Sequence, residues 1–236
     1  VAKAVVLLSG GLDSATVLGS LIANGTDPGD ITTISFDYGQ KHKMREVMAA
    51  YMINNYYHVE SHRKISIDTK VFQGAKSTLV GEMLPNPHMT YKEIEESFGV
   101  SPTYVPFRNA IFLSIASAVA LTVDAEYVYS GIHAEDARNW AYPDCTPEFV
   151  GSMGSAIYIG TYHKVRLITP FSWWMKWEIV KLGLEIGVPY HLTWTCYEGS
   201  SLSMPACGRC PSCVERRHAF SINGAEDPIK YKENLR

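Results

Sequence analysis

Residues 3–8 form a short apolar run without period-two alternation, the pattern of a strand buried on both faces. The run meets a polar, glycine-rich turn at residues 9–14. Residues 15–23 then have helical composition, closed by Gly25, Pro28 and Gly29. Residues 31–36 read as a second strand, ended by the turn Asp37-Tyr38-Gly39-Gln40. Met44, Val47, Met48, Tyr51 and Met52 recur at helical spacing, which predicts an amphipathic helix with that face turned inward. Residues 58–67 have strand character. The order β-α-β-α-β implies a parallel sheet with right-handed crossovers.

From residue 68 to 103 the rhythm breaks. Gly74, Gly81, Pro85, Pro87, Gly99 and Pro102 interrupt it, with a short polar helix expected over residues 91–98. A stretch of that length reads as a lid-like insertion. An apolar helix follows at residues 110–121, opened by Arg108. After it come a strand at 127–129, a loop at 130–145, a strand at 165–168 and a helix at 176–186 stopped by Gly187 and Pro189. The aromatic run Phe171, Trp173, Trp174 and Trp177 is expected in the core or at a subunit interface. The expected architecture is a parallel α/β domain over residues 1–195. A small cysteine-bearing segment with a last helix completes the chain at 196–236.

Composition narrows the function classes. Of 236 residues, 46% are hydrophobic and 19% charged, which excludes a disordered or fibrous chain. A formal charge of −3 disfavours a protein held to nucleic acid by bulk positive charge. No apolar run approaches the roughly 20 residues that span a bilayer. The first residues lead straight into a strand without a signal-peptide pattern, so a soluble, cytoplasmic protein is expected.

Five cysteines sharpen this. Cys196, Cys207, Cys210 and Cys213 are spaced C-x10-C-x2-C-x2-C, and Cys145 stands alone. Such spacing in a chain without a signal pattern reads as a metal site in a reducing compartment. Four thiolates close a tetrahedron around one ion and leave no open position, so the site is structural. Zinc fits this ligand set, and an iron–sulfur cluster is the rival.

Ser9-Gly10-Gly11-Leu12-Asp13-Ser14 lies where a strand hands over to a helix, the place where open α/β sheets bind ligands. Glycines let backbone amides approach an anion, and the helix dipole favours negative charge. A carboxylate at Asp13 would repel phosphate unless a cation lies between them, and Mg²⁺ is the natural one. Neither GxxxxGK[ST] nor GxGxxG occurs, which disfavours kinase-type and dinucleotide sites.

This SGGxDS stretch resembles the mark of the PP-loop ATP pyrophosphatases, whose fold is adenine nucleotide α-hydrolase-like and Rossmann-like. The resemblance implies ATP as co-substrate with Mg²⁺, cleaved between its α and β phosphates. The implied nucleotide-binding stretch is Leu8, Ser9, Gly10, Gly11, Leu12, Asp13, Ser14, Ala15, Thr16, Val17 and Leu18. Residues 37–42, Val105-Pro106-Phe107-Arg108-Asn109 and Tyr142-Pro143-Asp144-Cys145, taken with the terminal cysteines, resemble the 7-cyano-7-deazaguanine (preQ0) synthase family over nearly the whole chain. That family turns 7-carboxy-7-deazaguanine and ammonia into a nitrile through an adenylated acid and an adenylated amide, releasing AMP and pyrophosphate.

The resemblance further implies one structural Zn²⁺, small-molecule substrates, no obligatory nucleic acid, no membrane, and a homodimer. Asp13, Arg108 and Lys164 are the expected catalytic residues. Tyr142, Asp144, His133 and Asp136 are expected at the substrate, with Tyr142 stacking on the ring and Asp144 accepting from its guanine edge. Two positions depart from the family: Phe107 stands where glycine is usual, and Thr146 where arginine is usual. Both bear on whether the product is nitrile, amide or another conjugate. A tRNA-thiolating PP-loop enzyme is a rival, disfavoured because four cysteines look committed to metal and the net charge is negative. A zinc-bearing interaction module would leave the glycine turn unexplained.

Overall fold

The structure, a computed structural model, describes residues 3–80, 85–88, 93, 96, 100–198 and 201–232. Five strands form one parallel sheet in the order β3-β2-β1-β4-β5. They are β1 (Ala4–Leu7), β2 (Ile31–Asp37), β3 (Ser61–Ser66), β4 (Tyr127–Tyr129) and β5 (Arg166–Ile168). β1 is central, and the apolar run without alternation has its cause there. Val5 joins the core on one face with Ile34, Leu113 and Val128, while Val6 joins the other with Ile31, Ile53 and Ile179. Strand order reverses at β1, so a crevice opens at the carboxyl ends of β1 and β4.

The described helices are α1 (Leu12–Ala23), α2 (Lys43–Tyr56), α3 (Arg108–Thr122), α4 (Ala134–Ala137), α5 (Pro147–Gly160), α6 (Lys176–Glu185) and α7 (Pro211–Ile222). None is long and apolar enough to cross a membrane. α2 forms where expected but turns the other way. Met44, Met48, Tyr51 and Met52 are exposed, while Ala49, Ala50, Ile53 and Asn54 are buried. The glycine turn explains the reversal. A Cβ on Gly10 would lie 2.5 Å from the Glu46 carbonyl oxygen and 2.9 Å from the Ala49 Cβ. Only small side chains on α2 permit an approach that close.

α5 was not foreseen. Thr146 caps it, accepting from the Phe149 amide at 3.2 Å, and Pro147 opens its first turn. Gly151 and Gly154 weaken the helical signal, and Ile157 alone among the residues of α5 is fully buried.

The 68–103 insertion is partly core. Phe72 and Leu79 are buried, Val80 bridges Gln40, and the Thr78 amide donates to the Pro102 carbonyl at 2.8 Å. Of the polar helix expected at 91–98, Glu93 and Glu96 are helical and the remainder lies outside the described residues. The aromatic run divides. Phe171 is buried and Trp174 and Trp177 pack on the core, whereas Trp173 is 78% exposed.

Behind the last helix, the buried Arg216 forms a two-point ion pair with Asp227 and donates to Thr193, Thr195 and the Tyr190 carbonyl. This clamp fastens the cysteine segment against the loop that precedes it. The Trp194 amide in turn donates to the Gly10 carbonyl at 2.8 Å.

Candidate active site

One cavity opens at the crevice. Its first wall is the glycine turn, with Ser9, Gly11, Asp13 and Ser14 on the lining. Gly10 has φ +86°, a conformation other residues resist, and it folds the turn back on itself. No side chain caps α1, so its amino end faces the cavity with its dipole available to an anion. The Ser9 and Ser14 hydroxyls are hydrogen-bonded at 3.1 Å. The rest of the 8–18 stretch is scaffold. Leu8, Leu12, Ala15, Val17 and Leu18 are buried in the core, and the Thr16 hydroxyl bonds Tyr190 Oη at 2.8 Å.

Asp13 has a partner that sequence reasoning missed. Lys176 Nζ lies 2.8 Å from Asp13 Oδ2 and 2.9 Å from His133 Nε2. An ammonium can only donate, so Nε2 of His133 accepts. Burial alone would push the Asp13 carboxyl up, but the Lys176 ammonium, through its charge and its hydrogen bond, outweighs it and holds the carboxyl below the usual carboxylate range. Burial opposes the Lys176 charge, yet Asp13 and then Glu215 hold its pKa above the ordinary lysine value. Lys176 is the first residue of α6, where a helix dipole disfavours a cation. A lysine placed there, just past a parallel strand, was the signal available in the sequence. Lys164, expected as a catalytic residue, is exposed just before β5, at the amino end of that strand, and lies off the cavity lining.

His133 is buried behind Lys176, and its Nε2 lies 3.3 Å from Asp136 Oδ2. Asp136 itself lines the cavity. Glu215, carried in by α7, lines it too, and burial pushes its carboxyl far up.

The opposite wall is aromatic. Phe36, Tyr38, Phe112 and Tyr142 line it, with Phe36 and Phe112 stacked at 4.1 Å. Ser101 and Thr103 of the insertion bond the Tyr142 hydroxyl and fix that ring. Arg108 and Asn109 enter from the start of α3. Asp144 stays out of the lining. Its Oδ2 accepts from the Asn109 amide at 2.9 Å, which satisfies a donor of the first turn of α3. Cys145 lines the cavity as a thiol pushed well up by burial.

The two departures lie elsewhere. Phe107 has φ +54°, in the left-handed region that favours glycine; the residue is 59% exposed and its ring meets Phe149 edge-on. Thr146 is buried as the cap of α5.

The third wall belongs to the cysteine segment. Trp194, Thr195, Tyr197, Ser212 and Glu215 all line the cavity. The Sγ atoms of Cys196, Cys207, Cys210 and Cys213 lie within 4.8 Å of one another, and all four residues are buried. A tetrahedron of ~2.3 Å Zn–S bonds has edges of about 3.8 Å, and the Cys207–Cys213 separation is 3.9 Å. The cage fits one ion. A cluster of several irons would hold the thiolates farther apart.

Comparison with known proteins bears on this geometry. The model of the family "Queuosine biosynthesis protein QueC" matches residues 3–224. The chain belongs to the QueC family. It is 40% identical over 231 residues to the 7-cyano-7-deazaguanine synthase of Marinomonas sp., covering 98% of both chains. It is 42% identical over 236 residues to that of Thermoplasma volcanium, covering 98% of this chain and 91% of the relative. The Oceanobacillus iheyensis synthase is 41% identical over 232 residues, with 97% and 98% covered. Membership makes this chain an enzyme. Among solved structures, the U34-tRNA thiolase NcsA from Methanococcus maripaludis, described with its [4Fe-4S] cluster, aligns at a TM-score of 0.52. That alignment has 17% identity over 94% of this chain and 64% of the thiolase, and it shows the shared PP-loop fold.

Proposed function

We propose that the enzyme converts 7-carboxy-7-deazaguanine and ammonia to 7-cyano-7-deazaguanine at the expense of two ATP. The observation that carries this reading is a single cavity with a phosphate-binding turn on one wall and aromatic rings with a guanidinium on the other.

A carboxylate on an electron-rich ring is not displaced by ammonia unaided. Its oxygen attacks the α-phosphorus and pyrophosphate leaves; ammonia then adds to the acyl carbon, and AMP and a proton depart to give the amide. The amide oxygen attacks a second α-phosphorus and expels a second pyrophosphate. Loss of AMP together with the nitrogen protons then gives the nitrile.

The amino end of α1, Ser9, Ser14 and Lys176 hold the departing pyrophosphate, and Lys176 brings a permanent positive charge to it. Mg²⁺ between Asp13 and the phosphates would neutralise charge there. Arg108 supplies the cation of the opposite wall. Asp136 faces the cavity as an acceptor for protons shed by nitrogen, while His133 orients Lys176. Tyr142 presents a ring face to the planar substrate, and Asp144 acts through α3 rather than by direct contact. The third wall excludes water from the acyl-adenylate, and Zn²⁺ is the ion proposed for the four thiolates that fold it.

Phe107 and Thr146 both lie off the cavity lining, which favours the complete reaction over one that stops at the amide. The exposed methionine face of α2 and Trp173 support a homodimer, and the reduced cysteine cage supports a cytoplasmic setting.

Product analysis by mass spectrometry tests the reading. Protein, 7-carboxy-7-deazaguanine, ammonium, Mg²⁺ and ATP should give nitrile with two AMP per turnover. Amide alone with AMP would mark a relative that stops half-way. No conversion and no AMP would remove the substrate assignment.

A further inference from the structure

We infer that Arg108 reads the carboxylate of the acid substrate at the aromatic end of the cavity, and is not a phosphate ligand of ATP. The inference deepens the function proposed above and rests on it.

The phosphate end is already complete without Arg108. It has the glycine turn, the uncapped α1, two hydroxyls and a buried lysine held by Asp13 and His133. Arg108 comes from the far wall, at the first position of α3. Its Nη1 donates to Tyr38 Oη at 3.0 Å. The guanidinium carbon lies 5.6 Å from the Tyr38 ring centroid and 5.7 Å from that of Phe112. These contacts hold the guanidinium among aromatic rings, a setting suited to a flat heterocycle and poor for a hydrated triphosphate.

The decisive feature is what remains unbonded. Arg108 Nε is buried and has no hydrogen-bond partner among the described residues. A buried guanidinium donor left empty is costly, and natural proteins rarely keep one without a use. Nε and an Nη form the edge that grips a carboxylate through two parallel bonds. Asp144 acts on Arg108 through its charge, but among the described residues no hydrogen bond or ion pair joins the two, and the Asp144 Oδ2 accepts from the Asn109 amide. Asp144 is thus a positioning residue. It fixes the first turn of α3 and so the point from which Arg108 projects.

Calorimetric titration of the metal-loaded protein separates the possibilities with three ligands. These are 7-carboxy-7-deazaguanine, its nitrile counterpart and a non-hydrolysable ATP analogue. Arg108→Met should weaken the acid by roughly 10- to 150-fold, the range for charge-assisted hydrogen bonds. The nitrile, which has no carboxylate, and the ATP analogue should each change less than about threefold, with Arg108→Lys intermediate for the acid. Unchanged binding of the ATP analogue also certifies that the variants are folded. Equal weakening of acid and nitrile would reduce Arg108 to a structural role. Weakening of the ATP analogue as large as that of the acid would make it a phosphate ligand. Either result overturns the inference. If the wild-type protein binds the analogue but neither deazaguanine, the substrate reading fails and the Arg108 assignment falls with it.

Discussion

The two ends of the cavity are built in different ways. The phosphate end comes mostly from one stretch of chain, where a strand, two glycines and a helix start supply turn, dipole and hydroxyls within residues 9–14. The aromatic end is gathered from β2, the turn after it, α3 and the loop before α5. A contiguous site needs only local geometry. A convergent one depends on every element that positions a contributor, so its residues are individually unremarkable.

Removing the metal should show the largest effect, because it attacks the wall shared by both ends. Cys207→Ser, or prolonged chelation, is expected to unfold residues 196–232 and abolish binding of nucleotide and acid together. Structural zinc in comparable peptides contributes about 10–16 kcal/mol. Protease susceptibility of the segment and metal content by mass spectrometry would check this. Retained nucleotide binding without metal would separate the third wall from the other two.

Lys176→Met strikes the phosphate end alone. It leaves Asp13 a poorly solvated charge and should cost about 3 kcal/mol of stability. Asp13→Asn in addition should restore most of that loss while activity stays absent, as chemical denaturation would show. The pH dependence follows from the direction of the shifts. The folded pKa of Asp13 lies below its unfolded value, so its contribution is present above the ordinary carboxylate range and lost as pH falls through the depressed value. The folded pKa of Lys176 is raised, so its contribution holds below the ordinary lysine range and is lost as pH rises beyond it. Lys176→Met should remove the alkaline limb and reverse the acid one, because burial alone raises the Asp13 carboxyl.

Gly10→Ala should cost about 2–3 kcal/mol, because a left-handed turn and a 2.5 Å approach to the Glu46 carbonyl both resist a Cβ. Nucleotide affinity should fall with it, while acid binding at the far end changes less. Equal loss at both ends would mean that they are mechanically one.

Phe107→Gly is expected to do least. Relief of the left-handed strain, about 1–2 kcal/mol, opposes the extra chain entropy of glycine, about 0.5–1 kcal/mol. Thermal stability should move by no more than about 1.5 kcal/mol, and the ratio of nitrile to amide should not move. A changed ratio would bring Phe107 back to the substrate.

The same contrast explains what could be read from the sequence. The central strands, the glycine turn and the cysteine cage each carry a short-range signature, and each sits where that signature points. Lys176 carries only a faint one, a cation at a helix start, because its role depends on a partner 163 residues away. Asp144 was expected at the substrate because its loop lies on the active side. Which way its carboxylate turned was decided by an unsatisfied amide on α3. The methionine face of α2 misled for a related reason: apolar periodicity marks a helix, but the close approach of Gly10 selected the face with small residues.

Adenylation of the substrate oxygen is the centre of this account, and an isotope experiment tests it most directly. With both carboxylate oxygens of 7-carboxy-7-deazaguanine labelled as ¹⁸O, each AMP formed should carry one ¹⁸O in its phosphate, and pyrophosphate should carry none. Unlabelled AMP, or label appearing in pyrophosphate or inorganic phosphate, would contradict the account.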